Sequence, residues 1–173
     1  MKTLFTLAAA SLLLVTGVSS AQSPNDAQIA AIVVTANQVD IDAGKLAESR
    51  GGSADVKAFG KQMVTDHTGV NKQAVALVTK LKVTPEDNAT AKSLKSGGAE
   101  NVAKLEQLSG AAFDRAYVDH EVAYHEQVLE ALDKTLIPSA QNAELKALLV
   151  AVRPAFVAHL DHARHIQAAL KKG

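Results

Sequence analysis

The chain has 173 residues, enough for one domain with a real core, and its 47% hydrophobic but only 3% aromatic composition favours closely packed helices. Its 18 basic and 18 acidic residues are spread along the chain, which excludes the basic footprint of a nucleic-acid binder. The absence of cysteine excludes disulfides and a lipidated thiol, so stability must come from packing.

Residues 1–21 read as a secretory signal peptide. Lys2 supplies the positive start, Leu4 to Val18 a short apolar stretch, and Ser19-Ser20-Ala21 the small residues before a cut preceding Gln22. Residues 22–173 then form the mature domain, periplasmic or secreted, with 17 basic and 18 acidic residues. No second apolar run is long enough to span a bilayer, so the mature product is expected to be soluble. The competing reading of the first run is an uncleaved membrane anchor.

Four long helical patterns follow. The first opens at Ser23-Pro24-Asn25-Asp26, with Ser23 as expected cap, and closes at Gly51-Gly52; its inward stripe is Ile29, Ile32, Ala36, Val39, Ala43 and Leu46. The second starts at Ser53 and runs to about Lys82, with Val56, Gly60, Met63, His67, Val70, Ala74, Leu77 and Leu81 on one face. A histidine stands where an apolar residue belongs. The third, about Ala111 to Leu136, repeats this with His125 among Val118, Val122, Leu129, Leu132 and Leu136. The fourth, about Ala143 to Lys171, repeats it again with His159 among Val152, Phe156, Ala163, Ile166 and Leu170. Pro154 removes one hydrogen bond within this last helix.

Short joins make hairpins of the first two and the last two helices. Between them, Val83 to Gly110 contains Thr84-Pro85-Glu86-Asp87, Ser96-Gly97-Gly98 and a short helical run near Val102 to Leu108. That length spans a bundle about 40 Å tall at ~1.5 Å per residue. The expected fold is therefore all-α, a four-helix bundle of ferritin-like topology with a long crossover between helices 2 and 3. Plain up-down-up-down connection through a long loop is the competing topology.

Counted from the helix starts, His67 lies 14 residues after Ser53, His125 14 after Ala111 and His159 16 after Ala143. All three fall within ~3 Å of one level. Asp40, 15 residues after Asn25, reaches the same level from the first helix. Neutral imidazoles with a carboxylate are ligands for zinc, copper, nickel or iron. A second layer is suggested by His120 and His162, displaced toward the same end by roughly 7 and 5 Å in an antiparallel pair. Met63 falls there too if helices 2 and 3 are parallel, and thioether with imidazole suits copper. Glu121, Tyr117 and Tyr124 border the layer, and His165 stands one turn further out.

Each feature also has a plain structural reading. A lone buried histidine is usually a core residue with satisfied nitrogens. Met63 reads more readily as core filler than as a ligand, and His162 and His165 read also as cations near a helix C-terminus. Asp66, Asp119 and Asp161 directly precede histidines and so face solvent or a neighbouring helix.

Asp66-His67-Thr68 after Met63-Val64, Phe113-Asp114-Arg115-Ala116-Tyr117, His120 through His125, and Arg153-Pro154 before His159-Leu160 together resemble the exported family named domain of unknown function 4142. The resemblance spans roughly Gln28 to Leu170. It implies a ferritin-like helical bundle, with His67, His125 and His159 as the family-like histidines and His120 and His162 as a subgroup feature. It implies no particular activity. The Glu-x-x-His pairs of di-iron bundles are absent; Glu121 and His125 are four apart, and helix 4 carries His159-x-x-His162 instead. No serine or threonine is paired with a histidine in a nucleophile motif.

The sequence thus points to a periplasmic helical bundle binding a transition metal such as copper, zinc or iron, for storage, buffering or stress protection. His67, His125 and His159 are the leading ligands, with Asp40, His120, Glu121, His162 and Met63 in reserve. The alternative is a structural or interaction protein whose histidines form a buried hydrogen-bond network. A metal-dependent oxidase is a third reading.

Overall fold

The computed structural model describes residues 23–172, and the signal-peptide reading of residues 1–21 with its cut before Gln22 lies outside the described residues. Helix α1 (Asp26–Arg50) starts from Asn25 rather than Ser23. The Asn25 side chain accepts from the Gln28 amide at 2.9 Å, and the Gln28 side chain accepts from the Asn25 amide at 3.2 Å. This reciprocal box satisfies two end amides. Helix α2 (Ala54–Leu81) begins at Ser53 as expected, whose hydroxyl accepts from the Val56 amide.

Two aspartates tie the remaining helices to these. The Asp26 carboxylate accepts from the amides of Gln141 and Asn142, each at 2.9 Å, at the start of α6 (Ala143–Leu170). The buried Asp114 of α4 (Gly110–Ala131) accepts from Gly52 and Ser53, at 2.7 and 2.8 Å, at the start of α2. A carboxylate at a helix N-terminus satisfies free amides and meets the positive end of the helix dipole. Consequently α1 and α6 start at one end of the bundle, and α2 and α4 start at the other. Hairpins α1/α2 and α4/α6 are antiparallel, while α2 and α4 run parallel.

The middle segment differs from expectation. It holds an 18-residue helix, α3 (Ala89–Glu106), in place of a short run near Val102 to Leu108. At its start the Glu86 amide donates to Ala27 and the Asn88 side chain to Gln28; beyond its end the Arg50 guanidinium holds the carbonyls of Glu106 and Leu108. Ser96-Gly97-Gly98 reads as a break, but Gly98 serves contact instead. A Cβ there would stand 2.6–2.7 Å from the methyls of Val39, so the missing side chain lets α3 lie on α1. Tertiary contact overrides the low helix propensity of glycine. With α3 on one side and the hairpins on the other, α1 buries Val33, Asn37, Ile41 and Ala47 beyond its expected stripe.

At its far end α4 passes into a π-helical turn, Leu132–Leu136, and then α5 (Ile137–Ser139). The Ile137 amide donates five residues back to Leu132, and Pro138 has no N–H with which to continue an α pattern. The core divides into two apolar clusters. One contains Ile29, Val70, Leu132, Leu149 and Phe156; the other contains Val56, Phe59, Met63, Phe113, Tyr117 and Ile166. Between them lie Asn37, Asp40, His67, Glu121, His125 and His159, every one nearly inaccessible to solvent.

Candidate metal centre

Helices α2, α4 and α6 each contribute one histidine to this layer. Ring centroids are 5.7 Å apart for His67 and His125, 5.2 Å for His67 and His159, and 5.5 Å for His125 and His159. One ring nitrogen from each lies within 4.8 Å of the others. The residue counting from helix starts therefore locates them correctly, because capping by Ser53 and Asn142 fixes where α2 and α6 begin.

Hydrogen bonds on the outer side of each ring decide which nitrogen keeps its lone pair. The Asn37 Nδ2 group donates to the Val33 carbonyl at 2.8 Å, which turns Asn37 Oδ1 toward His67 Nδ1 at 2.6 Å. His67 Nδ1 must therefore be the donor. His125 Nδ1 donates to the Glu121 carbonyl at 3.0 Å, since a carbonyl only accepts. His159 Nε2 donates to Asp66 Oδ2 at 2.9 Å, and that carboxylate is partly exposed. What remains is His67 Nε2, His125 Nε2 and His159 Nδ1, all buried and none with a hydrogen-bond partner. An outer hydrogen bond that fixes the tautomer and orients the ring is the arrangement found behind metal-ligating histidines.

Asp40 joins them from α1. Its Oδ2 lies 3.0 Å from His67 Nε2 and 3.6 Å from His125 Nε2, in directions that form no hydrogen bond with either, and both of its oxygens are buried without a bonded partner. Burial pushes the Asp40 carboxyl up, but the adjacent His67 and His125 rings and the Glu121 acid outweigh it and hold the group below the usual carboxylate range. Glu121 goes the other way. Burial and the adjacent Asp40 charge raise it well above its ordinary value, so it is the protonated member of the pair. Its Oε2 stands 3.5 Å from His125 Nδ1, and Asp40, Glu121 and His125 form a second convergent group of potential ligand atoms.

Burial also disfavours the charged form of two of the rings, His125 and His159. It drives His125 down to about 4 against the pull of Asp40, and it lowers His159 despite the bond to Asp66. A neutral imidazole is the ligating form. Phe156 stacks on His67 at 5.1 Å between centroids and helps shield the layer from water.

His120 and His162 are not brought together as a second layer. His120 is half-buried, stacked on Tyr124 with its Nδ1 3.9 Å from Glu121 Oε1, and lines a cleft with Asn101 and Lys104 of α3. His162 is exposed on the α2 side, hydrogen-bonded to Gln62 and edge-on to Phe59. Five residues separate His120 from His125, and that rotation places it on the α3 side of α4. Met63 is wholly buried in the second apolar cluster, packed as core. Tyr124 donates to the Ala36 carbonyl at 2.9 Å, whereas the Tyr117 hydroxyl is buried without a partner. His165 is exposed.

Sequence reasoning missed Asn37. Its only signal is position: it precedes Asp40 by three residues, on the same helical face. Asp66 was placed toward solvent or a neighbouring helix, and it does both, partly exposed while bonding His159 of α6.

A family model described as a domain of unknown function (DUF4142) matches residues 15–166 of the chain. No curated protein and no solved structure matches significantly.

Proposed function

The chain belongs to the family described as domain of unknown function (DUF4142), a description that names no activity, and from the buried layer we propose that it binds one transition-metal ion. His67 Nε2, His125 Nε2 and His159 Nδ1 are the ligands, and Asp40 supplies a fourth donor and the balancing negative charge. The observation that carries this reading is three histidines with one ring nitrogen each within 4.8 Å of the others, each keeping a buried, unpartnered nitrogen beside its one hydrogen-bonded nitrogen. A buried polar atom without a partner costs roughly 1–3 kcal/mol, and a cation shared by all of them removes that cost at each. Metal–nitrogen bonds are about 2.0–2.1 Å, so nitrogens within 4.8 Å need only a small inward movement to share an ion.

Three imidazoles and a carboxylate suit zinc, copper(II) or iron(II). We read the two hairpins and the α3 crossover as a ferritin-like arrangement, and the protein as exported to the periplasm or secreted. Glu121 lies against Asp40 and His125 as a further oxygen donor or as the acid that shares a proton with Asp40. In this reading His120, His162 and Met63 lie outside the ligand set. Storage, buffering or stress protection suits a centre buried between two apolar clusters. A metal-dependent oxidase would need its substrate to reach this buried layer.

The second reading, a structural hydrogen-bond network, is supported by the same three outer bonds but leaves the inward lone pairs and Asp40 unmatched. The two separate by experiment. Mature protein is purified without chelator or affinity tag, its metal content measured, and copper, zinc and iron titrated beside a His67/His125/His159→Ala variant and the single variant His159→Ala. One ion bound in the parent and lost in the variants is the expected result. Equal stoichiometry in all three, or no binding tighter than micromolar in the parent, would end the metal reading.

A further inference from the structure

Beside the histidine layer lies a cavity of about 210 Å³ that the metal reading does not use. Its lining combines aliphatic side chains, Val33, Leu132 and Leu149 among them, with the rings of Tyr124, His67, His125 and Phe156. These rings already meet each other edge-on or stacked, with Tyr124 to His125 at 6.2 Å and His125 to Phe156 at 6.4 Å. The carboxylate oxygens of Asp40 and the inward nitrogens of His67 and His125 are buried in the layer itself and offer the cavity almost no accessible surface. It therefore presents apolar wall and ring faces or edges, with no exposed charge. The only fully exposed lining residues are Thr90 at the start of α3 and Gln127 on α4, which put its mouth between these two helices. The π-helical turn supplies Leu132 and Leu136 to its lining, and such turns recur at functional sites.

We propose that this cavity is a binding site for a small neutral aromatic molecule, entering between α3 and α4 and resting against the rings of His67, His125, Tyr124 and Phe156. Size sets the class. An apolar cavity of about 150 Å³ stays dry and holds benzene, so one of about 210 Å³ holds a single ring with a short substituent. Ring-lined walls favour an aromatic guest over an aliphatic one through offset and edge-to-face contacts. Anionic relatives are excluded, because their ionised group would be taken from water beside the Asp40 carboxylate with no cation on the wall. Metal ligation uses the inward nitrogens and aromatic binding uses the ring faces and edges, so the site stands whether or not an ion is bound.

The test uses chelator-washed mature protein titrated with toluene, while the ring signals of His67 and His125 are followed by carbon-proton NMR. Saturable shifts confined to His67, His125, Tyr124 and Phe156 are expected, with cyclohexane weaker and benzoate inactive. Ala131→Leu, a lining position at the partly exposed end of α4, narrows the cavity without touching the histidines. It should weaken toluene binding by about tenfold or more, equivalent to ~1.4 kcal/mol. Val33→Phe provides a second, deeper block should Ala131→Leu disturb folding. Absence of saturable shifts up to the solubility of toluene, benzoate binding as tightly as toluene, or unaltered affinity in both folded variants would each overturn the proposal. Metal titration of the same samples is read separately, so loss of one reading leaves the other standing.

Discussion

Replacing Asn37 by leucine tests how the layer is organised without touching any proposed ligand. Asn37 Oδ1 is the acceptor for His67 Nδ1 at 2.6 Å, and its own Nδ2 group is held by the Val33 carbonyl at 2.8 Å. Leucine has similar volume and no acceptor, so His67 faces two outcomes. If Nδ1 keeps its proton, a buried donor is orphaned and the metal-free protein loses roughly 1–3 kcal/mol. If the proton moves to Nε2, Asp40 Oδ2 lies 3.0 Å away as a charge partner outside hydrogen-bonding direction, and a modest reorientation recovers part of that loss. In the second case the inward lone pair is gone, and metal affinity falls by about 10–100-fold, as for other outer partners of ligating histidines. Urea unfolding of chelator-washed protein measures the first quantity, and competition for zinc against a chromophoric chelator measures the second. Asn37→Asp, which keeps an acceptor facing Nδ1, should retain most of the affinity. Zinc bound equally tightly by parent and Asn37→Leu would refute the claim that Asn37 sets the His67 tautomer.

Asp66→Asn should likewise weaken metal binding by about 10–100-fold through His159, and unchanged affinity would remove Asp66 from the argument. Acid should destabilise the metal-free protein. His125 takes its proton at 6.5 when unfolded but only at about 4 when folded, so stability is full above 6.5 and falls as pH drops through that window. This one residue accounts for about 2 kcal/mol between pH 7 and 5, measurable by urea unfolding, and a flat profile would contradict its neutral burial. Glu121→Gln should act in the opposite sense. A carboxyl raised in the folded state favours folding below 4.5 and loses that advantage as pH rises, so the uncharged glutamine should stabilise the protein at pH 7, with urea unfolding as the measure. Gly60→Ala should cost more than Gly98→Ala, within roughly 1–3 kcal/mol each. The new methyl at Gly60 meets the backbone of Gly44 and Glu48 at 2.7 Å, whereas at Gly98 it meets only the Val39 side chain; thermal unfolding in the reverse order would refute this.

Helix existence, the hairpin joins and the level of the three histidines were legible because they depend on periodicity, caps and rise per residue, which are local quantities. Ser53 and the 3.6-residue repeat suffice to put His67 on the inner face at a known height. The length of α3 was not legible. Gly97 and Gly98 lower helix propensity locally, and only the approach of Val39 from another helix explains why one of them is there. The second layer from His120 and His162 failed for a related reason: height along a helix is readable from residue counts, but which neighbour a boundary residue faces depends on how α3 and α2 flank the α4/α6 pair.

By itself the sequence determined that the chain is helical, that three histidines interrupt apolar stripes at one height, and that Asp40 shares their level. Tertiary structure alone decided that Asp26 and Asp114 would clamp distant helix starts, that Asn37, Asp66 and the Glu121 carbonyl would bond the outer nitrogens, and that the remaining nitrogens would be buried without partners. The physical reason is range. Capping and periodicity act within a turn or two, whereas the direction of an imidazole lone pair is set by partners that only packing brings within hydrogen-bonding distance.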